Sequence, residues 1–138
     1  MTTVRDVMTT DPIVLATTTR VHDAARRMRE SDVGDVLVEE GGTLRGIVTD
    51  RDIVVRAIAE GMDPDATTIG DCCTSELFTL EPDADADEAV QMMREHAVRR
   101  IPVVDDGTAV GIVTMGDLAV QRDERSALAD ISAKPGNA

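Results

Sequence analysis

The chain is nearly without aromatic residues: its 138 residues include one phenylalanine, Phe78, and no tryptophan or tyrosine. A core built from it has to be aliphatic, and 42% apolar residues supply enough Val, Ile, Leu, Ala and Met for one. Long hydrophobic runs are missing too. None approaches the roughly 20 residues of a membrane-spanning helix. The opening Met1-Thr2-Thr3-Val4-Arg5-Asp6 lacks the basic start and apolar stretch of a secretory signal. A cytoplasmic location and no membrane partner are expected. Basic residues are scarce: lysine occurs once, at Lys134, and the formal net charge is −13. So acidic a surface repels nucleic acid and anionic lipid, and a site for an anionic ligand must be locally basic against that field. The two cysteines, Cys72 and Cys73, are adjacent. They cannot form an unstrained disulfide with each other and lack the C-x-x-C spacing of a redox or zinc site. Both are expected as free thiols packed in a short helix.

What the chain has is a repetition. Gly46-Ile47-Val48-Thr49-Asp50-Arg51-Asp52-Ile53 returns, 65 residues on, as Gly111-Ile112-Val113-Thr114-Met115-Gly116-Asp117-Leu118. Residues 4–55 align with 69–120 without a gap, with identities that include Asp6/Asp71, Leu15/Leu80, Ala24/Ala89, Met28/Met93, Val33/Val98, Val38/Val103 and Gly42/Gly107. Two equivalent units related by approximate twofold symmetry are expected. The first spans 1–61, a linker 62–68, the second 69–131, and 132–138 is a frayed tail.

Each unit reads as β-α-β-β-α, an α+β pattern. A short segment, Val4 to Met8 or Ile69 to Cys73, precedes a brief strand at Ile13-Val14-Leu15 or Phe78-Thr79-Leu80. An amphipathic helix follows, with apolar residues at i, i+3, i+4 and i+7: Val21, Ala24, Ala25 and Met28, then Ala86, Ala89, Val90 and Met93. Thr19 is the expected cap of the first helix, and Asp85 with Glu88 a capping box for the second. The acidic run Asp83, Asp85, Asp87, Glu88 suits the first turn of a helix better than a calcium loop, so no metal is expected. Strands at Val33–Glu39 and Val98–Val104 turn through Glu40-Gly41-Gly42 and Asp105-Asp106-Gly107 into Arg45–Thr49 and Val110–Thr114. The last helices run from about Asp52 to Glu60, and from about Asp117 to beyond Leu128.

The repeated Thr-x-x-Asp opens those last helices. A helix N-terminus offers unpaired N–H groups and a positive dipole to phosphate. The hydroxyl can donate to a phosphate oxygen, and the carboxylate can accept from two neighbouring ribose hydroxyls. The plain alternative is that Thr and Asp only cap the helix.

Two such repeats, with Met93-Arg94-Glu95-His96, Val98-Arg99-Arg100-Ile101-Pro102-Val103-Val104-Asp105 and the Gly-Ile-Val-Thr-x-x-Asp motifs, resemble the CBS domain, named after cystathionine β-synthase. The resemblance covers nearly the whole chain. The stretch from Thr49 to Ala57, followed by Gly61-Met62-Asp63-Pro64, is similar to stand-alone bacterial CBS pairs, including the hypoxia-response type. The resemblance implies a regulatory module that binds an adenosine compound (AMP, ADP, ATP or S-adenosylmethionine) in a cleft between the repeats, with no obligatory cofactor. Carried over by position, it gives Asp52 and Asp117 to ribose hydroxyls, and Thr49 and Thr114 to ribose or phosphate. Val36, Leu37, Ile101 and Pro102 would line the adenine pocket with Ile13, Val14, Phe78 and Thr79. Arg99 and Arg100 stand where many members carry phosphate-binding residues. Gly34 and Asp35 take those places in the first unit, so the second unit is expected to hold the better nucleotide site.

An enzyme is not expected, because no nucleophile-base-orienter set or metal-ligand spacing is visible and His22 and His96 read as surface residues on helices. The competing reading is a ligand-free dimeric interaction protein with an unidentified protein partner. Val54, Val55, Ile58, Leu118 and Val120 are the apolar helix positions expected to be left exposed for a homodimer.

Overall fold

The computed structural model describes residues 1–122. The frayed tail and the continuation of the last helix past Leu128 fall outside the described residues. Contacts gather the chain into two compact units, one from Ile13–Leu77 and one from Met1–Pro12 with residues 78–122. The opening segment of each sequence repeat thus packs in the unit that holds the body of the other repeat.

In the Ile13–Leu77 unit, β2 (Val14–Ala16) pairs in parallel with β3 (Asp35–Glu40), which pairs antiparallel with β4 (Thr43–Thr49). Helix α2 (Val21–Ser31) buries Val21, Ala24 and Met28 at the expected spacing, against Val36, Val38 and Val48. Its cap is Arg20, with no side-chain hydrogen bond, so the expected Thr19 cap is not formed. The Thr19 carbonyl is used elsewhere, accepting from Ile69 N–H at 2.8 Å. After β4 come one α-helical turn, α3 (Asp50–Asp52), and a π-helical turn at Ile53–Ile58. This replaces the α-helix expected from Asp52 to Glu60. Ala59 N–H donates to Val54 O at 2.8 Å and Met62 N–H to Ala57 O at 2.9 Å, the i→i−5 pattern. Cys72 is buried beneath this turn in the same core, in a segment that begins as a 3₁₀ turn at Ile69–Asp71, and both thiols are free.

The second unit repeats the plan. Helix α1 (Val4–Val7) leads into β1 (Thr9–Thr10), which pairs antiparallel with β6 (Thr108–Thr114), itself paired with β5 (Arg100–Asp105). Phe78-Thr79-Leu80 is not a strand: Leu80 alone bridges Val103, in parallel. Helix α4 (Ala86–His96) buries Ala86 and Ala89 against Ile101, Val103 and Val113. Its cap is simpler than the expected box, with the Asp85 side chain accepting from Asp87 N–H at 2.9 Å. Helix α5 (Met115–Arg122) follows β6 as regular α-helix and buries Leu118, which corrects the expectation that Leu118 is exposed.

Both hairpins turn through two left-handed residues, Gly41-Gly42 (φ 59° and 82°) and Asp106-Gly107 (φ 50° and 81°). That is the pattern of the tight turn matching strand twist. The glycine of each repeated motif has a different reason. A Cβ on Gly46 would lie 2.6 Å from the Thr74 carbonyl oxygen, and one on Gly111 2.8 Å from the Thr9 carbonyl oxygen and 2.6 Å from Met8 Sδ. A neighbouring backbone crosses the strand there in each unit. Gly46→Ala and Gly111→Ala should each destabilise the fold by about 1–3 kcal/mol through overpacking. Urea denaturation would check this, and unchanged midpoints would mean the crossing segments yield freely.

Candidate functional site

Each Thr-x-x-Asp motif forms a reciprocal cap where strand meets helix. In the second repeat Thr114 N–H donates to Asp117 Oδ2 at 2.9 Å and Asp117 N–H donates to Thr114 Oγ1 at 3.1 Å. In the first, Thr49 N–H donates to Asp52 Oδ2 at 3.0 Å and Asp52 N–H to Thr49 Oγ1 at 3.1 Å. The capping reading of these residues is therefore correct, and it uses only one oxygen of each carboxylate. The other oxygen distinguishes the repeats. Asp52 Oδ1 faces the Arg56 guanidinium at 3.8 Å, one helical turn on, and Arg56 also donates to the Cys73 carbonyl at 3.3 Å. The matching position in the second repeat is Gln121. Asp117 Oδ1 forms no further hydrogen bond or ion pair among the described residues. Burial pushes the Asp117 carboxyl above its ordinary range, with the two Thr114 hydrogen bonds opposing that shift.

The register brings the other candidates to the same end of each sheet. Arg100 lies directly across from Thr114, and Met115 N–H donates to Arg99 O at 2.9 Å. Asp35 lies directly across from Thr49, and Asp50 N–H donates to Gly34 O at 2.9 Å. So the second repeat gathers Arg99, Arg100, Thr114 and Asp117, with Arg99 exposed and Arg100 half-buried. The first gathers Gly34, Asp35, Thr49 and Asp52. Ile13, Val14 and Phe78 are half-buried. Val36 and Ile101 belong to the hydrophobic cores of their own units, and Leu37 and Pro102 are also fully buried.

Two residues of this region escaped sequence reasoning. Arg56 was legible as an i,i+4 partner of Asp52. His96 was not: it stacks on Phe78 with ring centroids 3.8 Å apart and planes inclined by 14°. Separately, a groove of about 490 Å³ runs between α4 and α5, lined chiefly by Val90, Met93, Val98, Met115 and Leu118, with Arg94 and Arg99 also lining it.

The two repeats match the CBS domain family at residues 4–58 and 69–122, and the chain belongs to that family as a CBS pair. It is 38% identical over 136 residues to the CBS domain-containing protein YhcV of Bacillus subtilis, with 96% of each chain covered. To Hypoxic response protein 1 of Mycobacterium tuberculosis it is 37% identical over 120 residues, covering 86% of this chain and 84% of that one. A crystal structure of Hypoxic Response Protein I, with two coordinated zinc ions, superposes with a TM-score of 0.77 at 36% identity over 88% of this chain and 99% of that one. The CBS pair of protein MJ0100, solved with 5′-methylthioadenosine and S-adenosyl-L-methionine, gives a TM-score of 0.79 at 27% identity, covering 91% of this chain and 99% of that one. Among the described residues no group of three or more His, Cys, Asp or Glu side chains is placed to hold a metal ion. No helix among them is long and apolar enough to cross a membrane.

The raised Asp117 carboxyl has a consequence for stability. Between the ordinary carboxylate range and the raised folded value, the folded protein keeps a proton that the unfolded chain has lost. Stability contributed by this group therefore falls as pH rises through that window, and at neutral pH the ionised carboxylate is a net cost. Asn at this position is neutral and can still accept from Thr114 N–H. Asp117→Asn should melt higher than the unaltered protein at pH 7, with the difference shrinking toward pH 4. Calorimetric melting across that range would check it, and a lower melting temperature at pH 7 would show that the ionised cap outweighs its burial.

Proposed function

We propose that this CBS pair is a regulatory module whose second repeat binds an adenosine compound, of the class AMP, ADP, ATP or S-adenosylmethionine, and that it performs no catalytic step. The observation that carries this reading is the register: Arg100 stands across from Thr114, where Asp35 stands across from Thr49. Thr114 and Asp117 would receive the ribose. The Asp117 oxygen left over from the cap is an acceptor for two hydroxyls, whereas its counterpart on Asp52 already faces Arg56. Arg99 and Arg100 would receive phosphate, or the carboxylate of S-adenosylmethionine. The adenosine-type ligands of the MJ0100 pair support the ligand class.

A charge-assisted contact to phosphate is typically worth about 1.5–3 kcal/mol, which corresponds to roughly tenfold or more in affinity. One dominant nucleotide site per chain is therefore expected. In titration calorimetry with AMP and ATP, Asp117→Ala should abolish binding and Asp52→Ala should leave most of it. The reverse pattern would move the site to the first repeat. A protein that binds none of these compounds at millimolar concentration would rule the sensor reading out.

A second reading, a homodimer that signals through its surface, is favoured by one observation. Val54, Val55 and Ile58 are 58%, 44% and 52% exposed on the π-helical turn, an apolar stripe beyond scattered surface hydrophobics. The apolar groove between α4 and α5 supports it as well. The two readings are compatible, since a sensor can also be a dimer. Light scattering at micromolar concentration should give twice the mass of one chain, and Val55→Asp should lower it toward the monomer. A monomeric unaltered protein would contradict the dimer.

A further inference from the structure

The Phe78–His96 stack is unexplained by packing. Phe78 is the chain's single aromatic residue. In an aliphatic protein it would be the largest contributor to a core, yet it is half-buried and appears in neither core cluster. Its ring is instead covered by the imidazole of His96, the last residue of α4, which is exposed and forms no hydrogen bond among the described residues. Among them the imidazole has the stack on Phe78 and no ion pair.

The location matters. Leu80 N–H donates to Pro102 O at 3.1 Å and Val104 N–H donates to Leu80 O at 2.9 Å. The chain around Leu80 therefore runs parallel to β5, and Phe78, two residues earlier, belongs at the start of that strand. His96 precedes Arg99 by three residues. The stack thus stands at the end of the sheet that carries Arg99, Arg100, Thr114 and Asp117. In the first repeat the matching residues are Ile13 and Ser31, which cannot stack. The feature is confined to the repeat that carries the two arginines.

The geometry is that of a flat base stacked on an aromatic ring. Side-chain rings prefer offset or edge-to-face contacts with centroids 4.5–7 Å apart. Here the rings are nearly parallel, with centroids 3.8 Å apart. The imidazole is exposed, such a pair costs only a modest amount to separate, and a purine offers a larger π-face over the same ring.

We propose that His96 is a placeholder for the ligand's base: the purine takes its position on Phe78, and the imidazole swings into solvent. Phe78 then sets selectivity for a planar base, while Thr114, Asp117 and the arginines hold sugar and phosphate. This rests on the nucleotide-binding reading above, and the test separates the two.

AMP and ribose 5-phosphate share sugar and phosphate, and only AMP carries a base. Base stacking on an aromatic side chain changes affinity by roughly 5- to 100-fold. Phe78→Leu should weaken AMP by about tenfold or more and leave ribose 5-phosphate within twofold. His96→Ala removes the competitor, so it should tighten AMP by roughly two- to tenfold, again without effect on ribose 5-phosphate. In the unaltered protein, the His96 ring protons should lose the ring-current shift from Phe78 when AMP is added, and keep it with ribose 5-phosphate. AMP binding that is weakened or unchanged by His96→Ala, or that leaves the His96 signals in place, overturns the placeholder and leaves the nucleotide reading standing. Failure of AMP and the other adenosine compounds to bind at all overturns both.

Discussion

The close backbone crossing at Gly46 and Gly111 is the constraint on which each unit depends. A strand at the edge of a sheet exposes unpaired N–H and C=O groups, and here the edge is covered by another part of the chain. Thr74 exchanges both hydrogen bonds with Ile47, at 2.9 and 3.0 Å, and Thr9–Thr10 pairs with β6. The crossing is tight enough that only glycine fits beneath it. A motif that begins with glycine and ends with Thr-x-x-Asp therefore has two separate jobs. Its first residue lets a neighbouring backbone pass, and its last four bind the strand end to the helix start.

The register between these points is also specified. In both hairpins the pairing shifts by one residue, at Val38/Glu39 and at Val103/Val104. Such a bulge adds one residue to one strand and re-aims the side chains beyond it. Without it, the two-residue turns would set Val48 and Val113, rather than Thr49 and Thr114, across from Asp35 and Arg100. Because side chains alternate between faces, a slip of one residue would carry the threonine hydroxyls to the wrong side of the sheet. The composition of the candidate site is thus fixed by a bulge three to four residues away from it and a turn six to eight residues away.

Most of the architecture was legible because it is local or repeated. The helix stripes at Val21, Ala24 and Met28 and at Ala86 and Ala89, the glycine hairpins and the strand-to-helix motifs follow from spacing alone, and the 65-residue offset confirmed each by its copy. The features that were missed are non-local or depend on backbone competition. Phe78-Thr79-Leu80 has strand-forming composition but gains only one bridge. Ile53–Ile58 carries an apolar pattern that α- and π-helix serve equally well at this length, and its Ile53 and Ala57 share a core with Ile69 and Cys72, which are distant in sequence. The exchange of the opening segments between the repeats left no trace in local propensity. Of the site, the caps and the charge contrast were readable, since Thr, Asp and Arg occupy fixed positions in the motif. The pairing of His96 with Phe78, 18 residues apart in the chain, was not.

The charge pattern decides what kind of anion such a site can take. A net charge of −13 is spread over the whole surface, and at physiological ionic strength charges farther than about 8 Å are largely screened. A small ligand at the end of the second sheet is governed mainly by its near neighbours. There Arg99 and Arg100 bring two positive charges where Gly34 and Asp35 bring one negative, while the flanking Arg-Glu pairs, Arg29-Glu30 and Arg94-Glu95, are the same in both repeats. A polyanion extends past the arginines into the acidic remainder and is repelled along its length. A single nucleotide ends before that cost accumulates. On the proposed reading, the same surface would admit a mononucleotide and disfavour a nucleic acid without any steric barrier between them.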